Sequence, residues 1–156
     1  MGTRCIIEIR DGQKSVKIYR HNDGYPEGVI ADLWVLLRNS LRVKNELRFH
    51  ENPFEDAEYL LANFIFYAKL SSYLRHKDDK DLPYWPWEVG YGVLPQGDLN
   101  DYFIEYHYVI DAKTGKIQIY DYHRNLIFEG TLEEAYEKFA KNEFPEGCHI
   151  DKSLFS

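Results

Sequence analysis

The spacing of hydrophobic residues changes three times along this chain, and the order of those changes limits the folds it can adopt. Apolar and polar residues alternate in residues 4–20, recur with the helical period in 27–75, alternate again in 102–129 and return to the helical period from 131. A period of two is typical of a strand with one buried face, and a period of about 3.6 is typical of a helix. The sequence therefore predicts two strands, two helices, two or three strands and a final helix.

Short turn sequences separate the predicted strands, so we expect them to pair as hairpins. Asp11-Gly12 divides the first pair, and residues 112–115 divide the second. Hairpins between sequential strands, without helical crossovers, indicate an α+β fold with helices on one face of an antiparallel sheet. The predicted order is ββααββ(β)α. At 156 residues and without an internal repeat or linker, the chain is expected to form a single domain, 1–156, with an irregular tail from about 143 to 156.

Capping sequences indicate where the helices begin. The helical spacing starts at Glu27, and Asn52-Pro53-Phe54-Glu55 has the residue types of a capping box at the start of a second helix that should run to about Arg75. Thr131-Leu132-Glu133-Glu134 predicts the start of the last helix, which should end near Asn142. Residues 76–101 are predicted to be a long connection.

Two registers are open for the second hairpin. A four-residue loop pairs Asp111 with Lys116 and matches apolar residues near the turn. A three-residue loop with a bulge pairs Ala112 with Lys116 instead, and it would build a polar cluster. The members of that cluster would be Glu105, His107, Asp121 and His123. The better hydrophobic match favours the first register, since a slip of one residue moves every side chain to the other face.

The loop of residues 19–28 joins the first hairpin to the first helix and holds the candidate ligand-binding residues, Arg20, His21, Asp23 and Tyr25. Arg20 and His21 can bind an anion at a helix N-terminus. His21 and Asp23 have the spacing of two metal ligands, or of a base and the acid that orients it. An architectural role is equally open, in which Asp23 caps the turn and Tyr25 sets the entry angle of the helix.

Aromatic residues make up 16% of the chain, and four of them fall in the long connection. These four are Tyr84, Trp85, Trp87 and Tyr91. Two interpretations are open, because aromatic rings can fix such a connection onto the core or form a surface for a protein partner. We take the four residues as a candidate partner surface.

Two short blocks of the sequence resemble a known family. Residues 19–28 match the pattern Tyr-Arg-His-x-Asp-Gly-Tyr-Pro-x-Gly, and residues 105–111 look like a later Glu-Tyr-x-Tyr-x-Val/Ile-Asp strand. Both blocks are similar to those of an uncharacterised family of short proteins from phage, prophage and prokaryotic genomes. The resemblance implies a mobile-element type of protein and draws attention to the loop, and it implies no reaction.

Composition argues against several classes of function. The 26 acidic and 19 basic residues give a net charge of -7, which disfavours nucleic-acid binding because that binding needs clustered cations. No apolar run approaches the roughly 20 residues that span a bilayer, so no membrane segment is expected. Cys5 and Cys148 form no C-x-x-C pair, and we expect two unpaired thiols in a reducing, cytoplasmic context.

Motifs of enzymes with known mechanisms are missing from the sequence. It has no P-loop, dinucleotide fingerprint, H-E-x-x-H helix, nucleophile elbow or cysteine-rich zinc spacing, so no cofactor and no metal site is predicted. The preferred hypothesis is a small cytoplasmic binding or regulatory protein that acts through a protein partner. The alternative is a small enzyme, or an anion- or metal-binding domain, centred on residues 20–25.

Overall fold

The computed structural model describes residues 2–46, 55–78, 90–94, 103–140 and 147–155. Within them lie six strands, β1 Cys5–Arg10, β2 Ser15–Arg20, β3 Tyr91–Val93, β4 Tyr106–Asp111, β5 Lys116–Tyr120 and β6 Leu126–Thr131. The helices are α1 Pro26–Glu46, α2 Ala57–His76 and α3 Leu132–Phe139, followed by a short 3-10 helix, Lys152–Phe155. This arrangement confirms the predicted α+β class. It also confirms the predicted order of elements, apart from the added β3 and the 3-10 helix, which lies in the tail that was predicted to be irregular.

The six strands form one mixed sheet in the order β3-β2-β1-β4-β5-β6. Four of the neighbouring pairs are antiparallel, while β1 and β4 are parallel. The prediction of a purely antiparallel sheet is therefore wrong at the junction of the two hairpins. After passing through α1 and α2, the chain enters β4 at the end of the sheet where β1 begins. Cys5, the first residue of β1, therefore lies opposite Tyr106, the first residue of β4.

One strand lies in the segment that was predicted to be a connection. β3 pairs with β2, so that Val93 lies opposite Ile18 and Tyr91 lies opposite Arg20. Three residues are too few to show an alternating pattern, which is why the hydrophobic spacing did not indicate this strand. Residues 79–89 and 95–101 of the predicted connection lie outside the described residues.

Both hairpins have the register that their hydrophobic pattern favours. In the first, Ile7 lies opposite Ile18 and Ile9 opposite Val16. In the second, Ile110 lies opposite Ile117. This pairing places Asp111 across from Lys116, which confirms the first of the two registers considered.

The helices pack against the face of the sheet that bears these apolar residues. The largest side chains buried there include Ile7, Ile9, Ile18, Ile30, Leu33, Leu36, Leu60, Phe64, Tyr108 and Ile110. Burying one such side chain stabilises a fold by about 1.5–3 kcal/mol. Cys5 is also fully buried, and both Cys5 and Cys148 are free thiols, as predicted.

Side-chain caps define the starts of α2 and α3. Asp56 caps α2 by accepting from the backbone N–H groups of Glu58 and Tyr59. α2 therefore begins at Ala57 and not at the predicted capping sequence 52–55, of which residues 52–54 lie outside the described residues. The predicted capping box of Thr131 and Glu134 is confirmed at α3. Of the described helices, none combines the length and the apolar character that crossing a membrane requires.

Candidate functional site

Arg20 is a fully buried cation at the end of β2. It continues the inward-facing positions of that strand, opposite Cys5, and so enters the core. A buried charge is costly unless it is paired and hydrogen-bonded. Its Nη1 donates to Asp32 Oδ2 at 2.6 Å, its Nη2 to the Gly147 carbonyl at 2.7 Å and its Nε to the Asn22 carbonyl at 3.1 Å.

Asp32, on the buried side of α1, is the counter-ion of Arg20 and is itself fully buried. Its Oδ1 accepts from the backbone N–H groups of His149 at 2.8 Å and Ile150 at 2.7 Å. The Cys148 thiol donates to the same oxygen at 3.0 Å. Burial, together with the nearby Asp32 carboxylate, raises the pKa of Cys148 far above its usual value, which disfavours the thiolate form.

His149 lies between Asp23 and Tyr91 and contacts both. Its Nε2 is 2.9 Å from Asp23 Oδ2, and its Nδ1 is 2.6 Å from the Tyr91 hydroxyl. Burial lowers the pKa of His149, and the Arg20 charge lowers it further. The neutral ring donates through Nε2, because a carboxylate can only accept, and Nδ1 accepts from Tyr91. Both ring nitrogens are thus engaged inside the protein.

The structure brings three of the candidate loop residues, Arg20, Asp23 and Tyr25, together with residues 147–150. Asp23 has a left-handed backbone, with φ of 58°, and accepts from the Tyr25 hydroxyl at 3.3 Å. The Tyr25 ring packs where a side chain at Gly147 would otherwise stand. These contacts make the loop an anchor for segment 147–150.

His21 lies apart from that cluster. Its Nδ1 is 2.5 Å from the Tyr19 hydroxyl, and its backbone N–H donates to the Gly90 carbonyl at 2.7 Å. On the other side of the loop, the Tyr108 hydroxyl donates to the Gly24 carbonyl at 2.6 Å. The loop is therefore joined to β3 and β4 as well. Among the described residues, no group of three His, Cys, Asp or Glu has the arrangement of a metal site.

Sequence reasoning missed Asp32 and His149. Asp32 had a detectable signal, because it stands between Val29 and Leu36 on the apolar stripe of α1, where a carboxylate needs a buried partner. His149 had no such signal in the sequence, since 126 residues separate it from Asp23. No local pattern records a contact over that distance.

The predicted partner surface is described in part. Tyr84, Trp85 and Trp87 lie outside the described residues. Tyr91 is half-buried on the inner face, where its ring meets Phe64 edge to face at 6.1 Å. Burial raises the pKa of Tyr91 well above its usual value, so its hydroxyl remains a donor to His149.

A charged cluster surrounds Glu8 on the opposite face of the sheet. The Glu8 carboxylate accepts from Arg10 Nε at 2.5 Å, Ser15 Oγ at 3.0 Å and His107 Nε2 at 3.1 Å, and Lys17 Nζ lies 3.7 Å away. Burial alone would raise the pKa of Glu8, but the hydrogen bonds from His107, Arg10 and Ser15 outweigh it and lower the pKa to about 2. His107 thus pairs with Glu8 rather than with Asp121.

A cleft of about 520 Å³ opens beyond the ends of β4 and β5. Its lining residues are Phe103, Glu105, Tyr106, Asp121, Tyr122 and His123. Phe103 has a positive φ of 51° and is 67% exposed, and Tyr122 is exposed as well. Burial raises the pKa of Tyr106, and the negative charges of Glu27, Glu105 and Asp121 raise it further.

The cleft combines aromatic rings with carboxylates. Asp121 Oδ1 accepts from the backbone N–H groups of His123 and Asn125, which fixes the turn that carries Tyr122. Such a concavity can hold a cation against a ring face and beside a carboxylate. No family model matches this sequence, and comparison with curated proteins and with solved structures found no similar chain.

Proposed function

We propose that this protein is a binding or regulatory protein whose partner is a basic protein segment, and that the cleft receives an arginine or lysine side chain of that partner. The observation that carries the proposal is the lining, in which Phe103, Tyr106 and Tyr122 surround a concavity that also holds Glu105 and Asp121. A cation over an aromatic face gains about 0.5–2 kcal/mol, and more where water is excluded.

Charge supports a basic partner. The chain carries a net charge of -7, so its overall field attracts a cationic segment at a distance. Glu105 and Asp121 act at short range because both line the cleft. After burial and the charge of Glu27, they contribute to the raised pKa of Tyr106.

The surroundings of the cleft provide an apolar margin for the rest of a bound segment. Leu126 and Ile127 begin β6 directly after the turn that holds Tyr122, and both are exposed. Exposed apolar residues that adjoin one another with charges nearby are typical of protein interfaces. β6 is also the last strand in the sheet order.

Loop 20–25 does not serve as the ligand site in this proposal. The side chains of Arg20, His21, Asp23 and Tyr25 all hydrogen-bond within the protein, which favours an architectural role. The two free cysteines support a reducing, cytoplasmic location as part of the proposal.

The proposal is tested with peptides that are identical except for one central residue, which is arginine, lysine, citrulline or norleucine. We expect the arginine and lysine peptides to shift the amide signals of Phe103, Tyr106 and Tyr122 in nuclear magnetic resonance titrations of the labelled protein. Citrulline keeps the shape of arginine without its charge, and norleucine keeps the apolar stem of lysine. Binding of those two at the same strength would refute the cation site.

Variants of the protein locate the binding. Glu105→Gln and Asp121→Asn remove one charge each and keep the shape of the side chain. Each should weaken the binding of the arginine peptide about tenfold. Glu129→Gln is the matched control, because Glu129 lies on β6 and does not line the cleft. Equal losses in all three variants would indicate a general effect of net charge and contradict a specific site.

A further inference from the structure

Exposed aromatic rings form a stripe along the solvent side of α2. Tyr59, Phe66 and Tyr73 are 60%, 54% and 47% exposed, and they follow one another at intervals of seven residues. Seven residues make about two helical turns, so the three rings stay on one face and span about 21 Å. Ala62 and Leu74 are exposed beside them. Water-facing helix positions are ordinarily polar, whereas the exposed positions from Tyr59 to Leu74 are all apolar or aromatic.

The opposite side of α2 is fixed in the core. Its buried residues are Ala57, Leu60, Leu61, Phe64, Ala68 and Ser71. Asp56 caps the first turn, and the Ser71 hydroxyl accepts from the backbone N–H of Asp151 at 2.9 Å. The stripe is consequently presented on a rigid element.

The stripe is symmetric about Phe66, with one tyrosine seven residues before it and one seven residues after it. We propose that α2 binds α2 of a second copy of this chain, with the two helices antiparallel and a two-fold axis at Phe66. Such a pairing places Phe66 on Phe66 and each Tyr59 beside a Tyr73. A two-fold interface requires this kind of self-complementary surface.

The charges at the ends of the stripe select the antiparallel direction. Glu58 precedes the first ring, and Lys77 follows the last, and both are exposed. Antiparallel pairing brings Glu58 of one copy near Lys77 of the other. Lys14 approaches Glu58 to 3.6 Å, yet the Glu58 side chain stays 61% exposed and accessible to a second cation. Parallel pairing would place like charges together at both ends.

This surface is separate from the cleft, and the dimer does not rest on the proposed function. Sedimentation equilibrium measures the assembly directly. We expect wild type to be a dimer, and Phe66→Glu to weaken its association by about a hundredfold or more, because two like charges would face each other at the axis. Val93→Glu is the matched control, since Val93 is 79% exposed on β3 and should leave the dimer intact. A monomeric wild type, or a dimer unaffected by Phe66→Glu, overturns the proposal.

Cysteine cross-linking tests the orientation without depending on the stability of one variant. Cys148→Ser gives a suitable background, because serine keeps a donor to Asp32 and Cys5 is fully buried. In that background Phe66→Cys should form a disulfide-linked dimer under oxidising conditions, whereas Ala62→Cys, one turn away from the axis, should not. Cross-linking of both Ala62→Cys and Phe66→Cys would indicate parallel helices, and absence of cross-linking at Phe66→Cys would remove it from the axis, so either result refutes the antiparallel arrangement.

The two proposals fail separately. Phe66→Glu should still bind the arginine peptide with wild-type affinity, because Phe66 does not line the cleft. A wild-type monomer that binds that peptide would eliminate the dimer and leave the proposed function standing. A dimer that does not bind the arginine peptide would support the inference and eliminate the cation site.

Discussion

At the scale of single residues, charged side chains are buried and paired at two places in the protein. Arg20 and Asp32 lie fully inside the core, and their polar atoms are matched by backbone groups of segment 147–150 as well as by each other. Among the described residues, no buried side-chain nitrogen or oxygen lacks a hydrogen-bond partner. A buried ion pair adds little net stability, but breaking one is costly, so the pair specifies where the segment lies.

The second of these places is at Glu8, on the outer face of the sheet. Its carboxylate is almost completely covered, and the surrounding donors from Arg10, Ser15 and His107 keep it ionised. The strand pairing creates this cluster, since His107 lies on β4, next to β1.

The lowered pKa of Glu8 predicts a specific dependence of stability on pH. Folding lowers this pKa from about 4.5 to about 2, so between those values the unfolded chain binds more protons than the folded one. The contribution of the carboxylate to the free energy of unfolding is therefore complete above pH 4.5 and is lost as the pH falls toward 2. Urea unfolding of wild type and Glu8→Gln should show a stability difference that shrinks over that window. A difference that does not vary with pH would contradict the assigned pKa.

At the scale of elements, α3 shows how a short helix is stabilised by its surroundings. It has eight residues, whereas isolated helices shorter than about 12–15 residues are marginal in water. The capping box supplies hydrogen bonds at its start, and Tyr136 stacks on Trp34 of α1 with ring centroids 4.6 Å apart. The cap fixes the start of α3 directly after β6, and the stacking packs α3 against α1.

Removal of the Thr131 cap should lower the free energy of unfolding by a measurable amount. Thr131 Oγ1 accepts from the backbone N–H of Glu134, and Thr131→Ala leaves that donor without its partner. We expect a loss of about 1 kcal/mol in the free energy of unfolding, measured by urea denaturation. Thr131→Ser keeps the oxygen and should recover most of that loss. An alanine variant as stable as the serine variant would show that the cap contributes nothing.

At the scale of the whole molecule, segment 147–150 joins parts that are distant in sequence. Its backbone binds Arg20 and Asp32, and His149 connects Asp23 on the loop to Tyr91 on β3. Ile150 is buried in the core. The segment has no regular secondary structure, and the adjoining residues 143–146 of the predicted tail lie outside the described residues.

Gly147 is the position where this junction is most sensitive. It has a φ of 81°, and an added Cβ would meet the ring of Tyr25. Gly12 is the matched control, because its φ is 88° and nothing lies within 4 Å of an added Cβ. Gly12→Ala should lose about 1–2 kcal/mol of unfolding free energy through its backbone alone, and Gly147→Ala should lose clearly more. Equal losses, measured by urea unfolding, would show that the contact with Tyr25 is unimportant.

The sequence by itself determined the features that depend on neighbours along the chain. The inward faces of both hairpins, the register that pairs Ile110 with Ile117, and the cap at Thr131 follow from hydrophobic spacing and from turn and capping residues within a few positions. Of the candidate loop, the sequence indicated which residues are unusual and left open whether they bind a ligand or serve the fold.

Only the tertiary structure decided the parallel pairing of β1 with β4, the strand β3, and the junction of Asp32 with His149. It also decided which residues line the cleft, where Phe103 precedes β4 and Tyr122 follows β5. Each of these features joins residues far apart in the chain, and the free energy that holds them together comes from burial and hydrogen bonding between elements. The spacing of hydrophobic residues indicates neither the burial nor the hydrogen bonds between elements, because it reflects the period of one strand or helix at a time.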